Sequence, residues 1–327
     1  MKKVLGRIKE TINDILNFIK KHKKKVLIGL AVFIILFLPT FLYINLTNPT
    51  LINKYIASVA NKGVPANNAF EDQVFYNAVV DAYNKKNNAN LPYTTNLTDE
   101  QLKTITEIDY SGSSKEDKIS SANGIEKLTS LTALTLGYNS LSNIDLSQNT
   151  KLTSLNLEGN DLYSIDLSKN ASLIYLDLKD NNLNSIDLSQ NTRLTSLFLS
   201  YNNLSNIDLS QNTKLGTLYL GNNNLSSIDL SDNIKLTSLH LEGNDLDSID
   251  LSKNTLLLWL DLSLNNLINI DLSQNTELTT LYLYNNNLSN IDLSQNTELT
   301  HLSLHNNNLS NIDLSQNTEL TTLYLYN

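Results

Sequence analysis

Leu152 to Ser172 reads LTSLNLEGNDLYSIDLSKNAS, and its pattern, LxxLxLxxNxLxxIDLSxNxx, returns every 21 residues from Leu131 onward. Copies begin at Leu131, Leu152, Leu173, Leu194, Leu215, Leu236, Leu257, Leu278 and Leu299, and a partial tenth of eight residues runs from Leu320 to Asn327. One copy cannot bury its six apolar side chains alone, whereas stacked copies cover one another and build a continuous core. The pattern therefore specifies a solenoid. Each half of a copy alternates apolar and polar residues as a half-buried strand does, so two short strands per coil are expected. Two Asn columns, Asn139 to Asn307 and Asn149 to Asn317, fall where the chain must turn. Their amides can bond backbone groups that the turns leave unpaired, one coil to the next.

The outward positions of the two halves differ. In the second half every full copy repeats Asp before its Leu (Asp145, Asp166, Asp187, Asp208, Asp229, Asp250, Asp271, Asp292, Asp313) and Ser after it. Either hydrogen bonds from Ser and solvent screening, or calcium bridging successive carboxylates, would offset the repulsion of that column. In the first half the central outward column varies instead: Thr135, Asn156, Asp177, Phe198, Tyr219, His240, Asp261, Tyr282, Ser303, Tyr324. Flanking columns add Tyr175, Trp259, Tyr284, His301 and His305. A surface needed only for folding can carry one residue throughout, while a surface that reads a partner needs different groups at different places, and exposed aromatics mark interaction sites. The opposing reading is that strands favour aromatics for their own packing. The candidate partner-binding set is Tyr175, Asp177, Phe198, Tyr219, His240, Trp259, Asp261, Tyr282, Tyr284, His301, His305 and Tyr324.

Upstream of the repeat, Thr98 and Gln101 form a capping box with Leu97 and Leu102 in staple positions, and Asn68 with Glu71 forms another before an amphipathic stretch through Tyr83. Ile105 to Tyr110 reads as a strand, so residues 68–130 are expected to be an α/β cap. Residues 48–67, with Pro49, Gly63 and Pro65, read as a stalk. Val26 to Leu46 is mostly apolar, uncharged and long enough to cross a bilayer as a helix, following the Lys-rich run Lys21 to Lys25. An uncleaved signal anchor over 26–47 is expected, with a cleaved signal peptide as the competing reading. Residues 1–25 would then be a basic, amphipathic cytoplasmic segment, and everything after the span would lie outside the membrane.

Charge is distributed unevenly: residues 1–25 carry +7 and the remainder −16, for a net charge of −9. The acidic remainder, with scattered basic residues, excludes a nucleic-acid partner. There are no cysteines, which rules out disulfides and thiolate chemistry. No copy adds a base beside its Ser to make a nucleophile, and the ten glycines form no phosphate-binding loop. No enzyme activity, cofactor or metal ligand is expected.

The helical cap, GIEKLTSLTALTL at Gly124 to Leu136, and the ordered LxxLxLxxN coils after it resemble the internalin-like leucine-rich repeat proteins of bacterial surfaces over roughly residues 68–327. The resemblance implies a curved solenoid whose strand face binds host or cell-surface proteins, with Tyr175, Phe198, Tyr219, Trp259, Tyr282 and Tyr324 as contact residues. The 21-residue period departs from the family's usual period of about 22. The expected protein is thus an α/β-capped leucine-rich repeat solenoid, predominantly β, over 131–327, preceded by a transmembrane helix. It would act as a monomeric, adhesin-like, single-pass membrane protein whose partner is an extracellular protein or surface glycan. The alternatives are a passive structural or wall-associated protein, or the non-catalytic front of a longer one.

Overall fold

A computed structural model of the chain describes residues 69–112 and 117–325, all of which fall in the unit Val64–Asn327. Two short helices, α1 (Gln73–Asn87) and α2 (Asp99–Leu102), open it and lead into β1 (Glu107–Asp109). A single 3-10 turn (Ile125–Lys127) precedes ten three-residue strands: β2 (Ala133–Thr135), β3 (Ser154–Asn156), β4 (Tyr175–Asp177), β5 (Ser196–Phe198), β6 (Thr217–Tyr219), β7 (Ser238–His240), β8 (Trp259–Asp261), β9 (Thr280–Tyr282), β10 (His301–Ser303) and β11 (Thr322–Tyr324). All eleven pair in parallel, in chain order, in one sheet. From β2 onward each residue pairs with the one 21 positions later, as Leu134 does with Leu155 and Leu155 with Leu176. Register follows the period because a one-residue slip would turn every buried Leu outward.

The core is a set of leucine columns. In the coil starting at Leu215, the residues Leu215, Leu218, Leu220, Leu225 and Leu230 are all buried, and Ile228 packs partly buried against them. The cap continues this core without a break: Phe70, Phe75, Tyr76, Val79, Leu97, Leu102, Ile105 and Ile108 are buried in one cluster with the leucines. At the other end Leu323 and Leu325 of the last coil are exposed, since a neighbouring coil covers them on one side.

Both asparagine columns bind coil to coil. Asn223 donates from Nδ2 to the Leu199 and Leu220 carbonyls, each at 3.0 Å, while its Oδ1 accepts from Leu204 N at 3.0 Å. Asn233 donates to the carbonyls of Leu209 (3.0 Å) and Asn212 (3.1 Å), and its buried Oδ1 has no hydrogen-bond partner. The first column is thus fully satisfied and the second half-satisfied. Each coil leaves its strand through a left-handed residue at the eighth position, from Tyr138 (φ 56) to Asn306 (φ 54). Asn and Gly fit that conformation cheaply, whereas Tyr138, Tyr201 and Leu264 hold it against the clash of their Cβ atoms.

Four expectations need correction. First, each coil has one strand, not two: the second half carries none. There the Asp side chain takes the backbone N–H two residues on, as Asp145 Oδ1 does from Ser147 N at 2.9 Å, and Asn149 N then donates to the Leu146 carbonyl at 3.0 Å. These local bonds bend the backbone and compete with a ladder. Second, the cap of α1 is Asp72, whose Oδ1 accepts from Val74 N (2.8 Å) and Phe75 N (3.0 Å). Glu71 instead accepts from Asn123 Nδ2 at 2.7 Å, and Asn68 lies outside the described residues. Third, the strand expected over Ile105 to Tyr110 is trimmed to Glu107–Asp109. Fourth, the transmembrane helix and the single-pass membrane placement that followed from it are not supported. No helix among the described residues is long and apolar enough to cross a membrane; the longest, α1, has 15 residues and carries Asp81, Lys85 and Lys86. The stretch Val26 to Leu46, like the segments expected over 1–25 and 48–67, lies outside the described residues. The second capping box is present as read, with Gln101 N donating to Thr98 Oγ1 and Thr98 N to Gln101 Oε1.

Candidate partner-binding face

Within each strand the middle Leu points into the core and its two neighbours point out. Parallel pairing in strict register sets these outward residues side by side at the strand spacing of about 4.8 Å. The side chains supplied at those positions fall into one run of rings. Tyr175 packs tilted against Phe198 (centroids 5.4 Å), Phe198 stacks on Tyr219 (4.9 Å), Tyr219 on His240 (3.8 Å) and His240 on Trp259 (5.8 Å), and Trp259 meets Tyr282 edge-on at 5.7 Å. Most of these rings are half-buried against one another, and Trp259 is 39% exposed. Each such pair contributes about 0.5–1.5 kcal/mol beyond area burial, which holds the rings in place before any partner arrives.

The front end of this run carries charge. Asp177 is only 3% exposed, with Oδ2 accepting from Tyr175 Oη at 3.2 Å and pairing with Lys179 Nζ at 3.6 Å. Lys179 also pairs with Glu158 at 3.2 Å and lies over the Phe198 ring, 5.7 Å from its centroid. Burial raises the Asp177 carboxyl pKa, and burial together with the Asp177 charge pushes the Tyr175 hydroxyl up to about 12. For Lys179 burial works to lower the pKa, but Asp177 and Glu158 outweigh it and the ammonium is held above its ordinary value. Asp177 therefore braces the face and offers a partner little surface.

Further along, burial pushes His240 down to about 4 and Glu242, two residues on, up to about 7. Asp261, the register partner of His240, is raised by burial against bonds from Ser263. A second short stack pairs Tyr284 with His305 at 4.7 Å and 3°. His305 Nδ1 lies 2.9 Å from Ser303 Oγ, and His301 Nδ1 lies 2.9 Å from Thr300 Oγ1. Ser303 interrupts the central column between Tyr282 and Tyr324, so Tyr324, 47% exposed on β11, stands apart from the six-ring run.

Sequence reasoning missed Glu158, Lys179 and Glu242. They occupy the position two after the central column, which varies as much as that column does (Gly137, Glu158, Lys179, Ser200, Gly221, Glu242, Ser263, Tyr284, His305), and that variation was the available signal. The other half of the coil has no such variety. Each Asp of its column accepts from the Ser N–H two residues on, as at Asp229 and Asp250, and the Ser backbone and hydroxyl hold these carboxyls below their ordinary pKa.

No known protein-family pattern matches the chain. Internalin J of Listeria monocytogenes is 39% identical over 84 residues, which is 26% of this chain and 8% of that protein. The solved functional domain of InlJ from Listeria monocytogenes, which includes a cysteine ladder, is 32% identical with a TM-score of 0.67, covering 79% of this chain and 60% of that one. The present chain has no cysteine; asparagine amides add to the strand ladder in bonding coil to coil. A plant receptor-kinase ectodomain from Arabidopsis thaliana, solved in complex with Casparian strip integrity factor 2, is 26% identical with a TM-score of 0.55, covering 62% of this chain and 27% of that one. The chain spans 8% of its curated relative and about three fifths of the solved internalin domain. The internalin-like leucine-rich repeat resemblance read from the coils and cap is borne out.

Proposed function

We propose that this internalin-like leucine-rich repeat chain is an adhesin-like binding scaffold that captures a protein partner on the outward face of β4 to β9. One observation carries the reading: six rings from six successive coils, Tyr175 to Tyr282, lie in a single run on one face, while the other half of every coil repeats the same Asp and Ser. Rigid, half-exposed aromatics are the side chains that dominate binding energy at protein interfaces, because they bury much area and lose little conformational freedom. Eleven strands about 4.8 Å apart give a face about 48 Å long, enough for a standard-sized interface. The likeness to a receptor ectodomain solved with a bound partner supports the same reading.

The test compares two double variants, Trp259→Ala with Tyr282→Ala and Asp250→Ala with Asp271→Ala. Purified chain is used as bait against an array of individual surface proteins and glycans, with circular dichroism as the folding control. A protein hit that falls at least tenfold in the first variant and is unchanged in the second supports the reading. Hits that survive the first variant, or hits confined to glycans, overturn it.

A further inference from the structure

We propose that His240, Glu242 and Asp261 form a binding site for one divalent transition-metal ion, with zinc as its representative, set into the strand face. His240 closes β7 and Glu242 follows two residues later on the same side, while Asp261 is the residue of β8 that pairs with His240. One donor atom from each lies within 4.8 Å of the other two. Ligation at about 2.1 Å per bond in a tetrahedral arrangement needs donors about 3.4 Å apart, so binding an ion would draw these three groups closer together. Among the described residues no other set of His, Asp and Glu converges in this way, the nine-membered Asp column included.

Two further observations favour a cation at this position. Glu242 Oε2 is covered and has no hydrogen-bond partner, and among the described residues no Lys or Arg forms an ion pair with Glu242 or Asp261. A covered carboxylate without a cation or donor is costly, and an ion of charge +2 would balance both carboxylates at once. The neighbouring coil is also shaped for it. The Glu242 carboxylate lies against Gly221, where a Cβ would meet Oε1 at 1.9 Å and Cδ at 2.3 Å, so any other residue would displace it. Other coils place Glu158, Lys179 or Ser200 at the position that Gly221 holds.

The donor set narrows the ion. One imidazole nitrogen with two carboxylate oxygens suits zinc and similar first-row ions; calcium wants six to eight oxygens and magnesium an octahedron of oxygens. Three protein ligands leave one position for water or a group from a partner. The site stands on these donors and not on the partner reading.

Trp259 is the only tryptophan in the chain and its ring centroid lies 5.8 Å from that of His240, so it reports on the site directly. The full chain is titrated with zinc chloride while Trp259 emission is followed, and bound zinc is counted by equilibrium dialysis. The expected result is a saturable change in emission that tracks one bound equivalent. Glu242→Gln and Asp261→Asn should each weaken that equivalent at least about tenfold with an unchanged circular dichroism spectrum. A His301→Asn, His305→Asn double variant should leave the emission titration as it was, separating this site from zinc held elsewhere. A flat wild-type emission titration, or a Glu242→Gln chain that titrates like wild type, overturns the proposal.

Discussion

The two halves of one coil start from nearly the same pattern, LxxLxLxxN and LxxIxLxxN, and end as different surfaces. In the first half the outward residues sit on a parallel ladder, in register with their neighbours, so a ring in one coil meets a ring in the next. In the second half each Asp spends its carboxylate on its own coil's backbone, and no ladder forms. The first half can therefore carry a different side chain in each coil at no cost to the turn. In the second half the Asp and Ser are themselves the turn, which is why they recur unchanged.

The difference between the halves extends to their asparagines, and this is where it can be tested most strongly. Asn223→Ala removes the donations to the Leu199 and Leu220 carbonyls, each of which keeps one bond from a neighbouring Asn, and strands Leu204 N–H in the core, an expected loss of about 3 kcal/mol. Asn233→Ala removes two donations from an amide whose oxygen is already unpartnered, and about 2 kcal/mol is expected. Urea unfolding of the two variants side by side should rank them in that order; equal losses would mean that the two columns are equivalent after all.

A smaller effect, of opposite sign, is expected where the strand face meets its turn. Leu264 is 45% exposed at φ 55, and Leu264→Asn should stabilise the fold by about 1 kcal/mol in the same urea measurement, since Asn tolerates the left-handed region. A neutral or destabilising result would show that the Leu side chain contributes packing that offsets the strain.

A further expected effect concerns pH. Glu242, raised from 4.5 to about 7, contributes stability that is full below 4.5 and lost as pH climbs through 7. His240, lowered from 6.5 to about 4, contributes stability that is full above 6.5 and lost as pH falls through 4. The two slopes oppose each other between 4.5 and 6.5. With chelator present, Glu242→Gln should gain Tm on wild type steadily from pH 4.5 to 7, and a difference that stays constant over that window would refute the shift. The second half of the coil predicts no comparable effect there, because its Asp carboxyls are lowered and already charged throughout.

Much of this was legible in the sequence. The period placed every core leucine, the alternation put Phe198, Tyr219 and Trp259 on one side, and Thr98 with Gln101 announced the cap of α2. What failed did so for local reasons. Alternation in the IDL segment reads as a strand, yet an Asp two residues before a free N–H offers the backbone a closer partner than the next coil does. Asn68 and Glu71 match a capping box, yet Asp72 also reaches Ser120 N at 2.8 Å, a bond across 48 residues that no local pattern contains.

The sequence by itself determined the solenoid, its register and which columns face out, because a strict period repeated nine times leaves one phase that buries every leucine. Only the tertiary structure decided which outward groups meet: Glu242 against Gly221 and Asp261 against His240 come from different coils, 21 residues apart in the chain and one strand spacing apart in space. Periodicity fixes where a side chain stands. Its charge, burial and partners depend on whatever unlike residue the adjacent coil brings beside it.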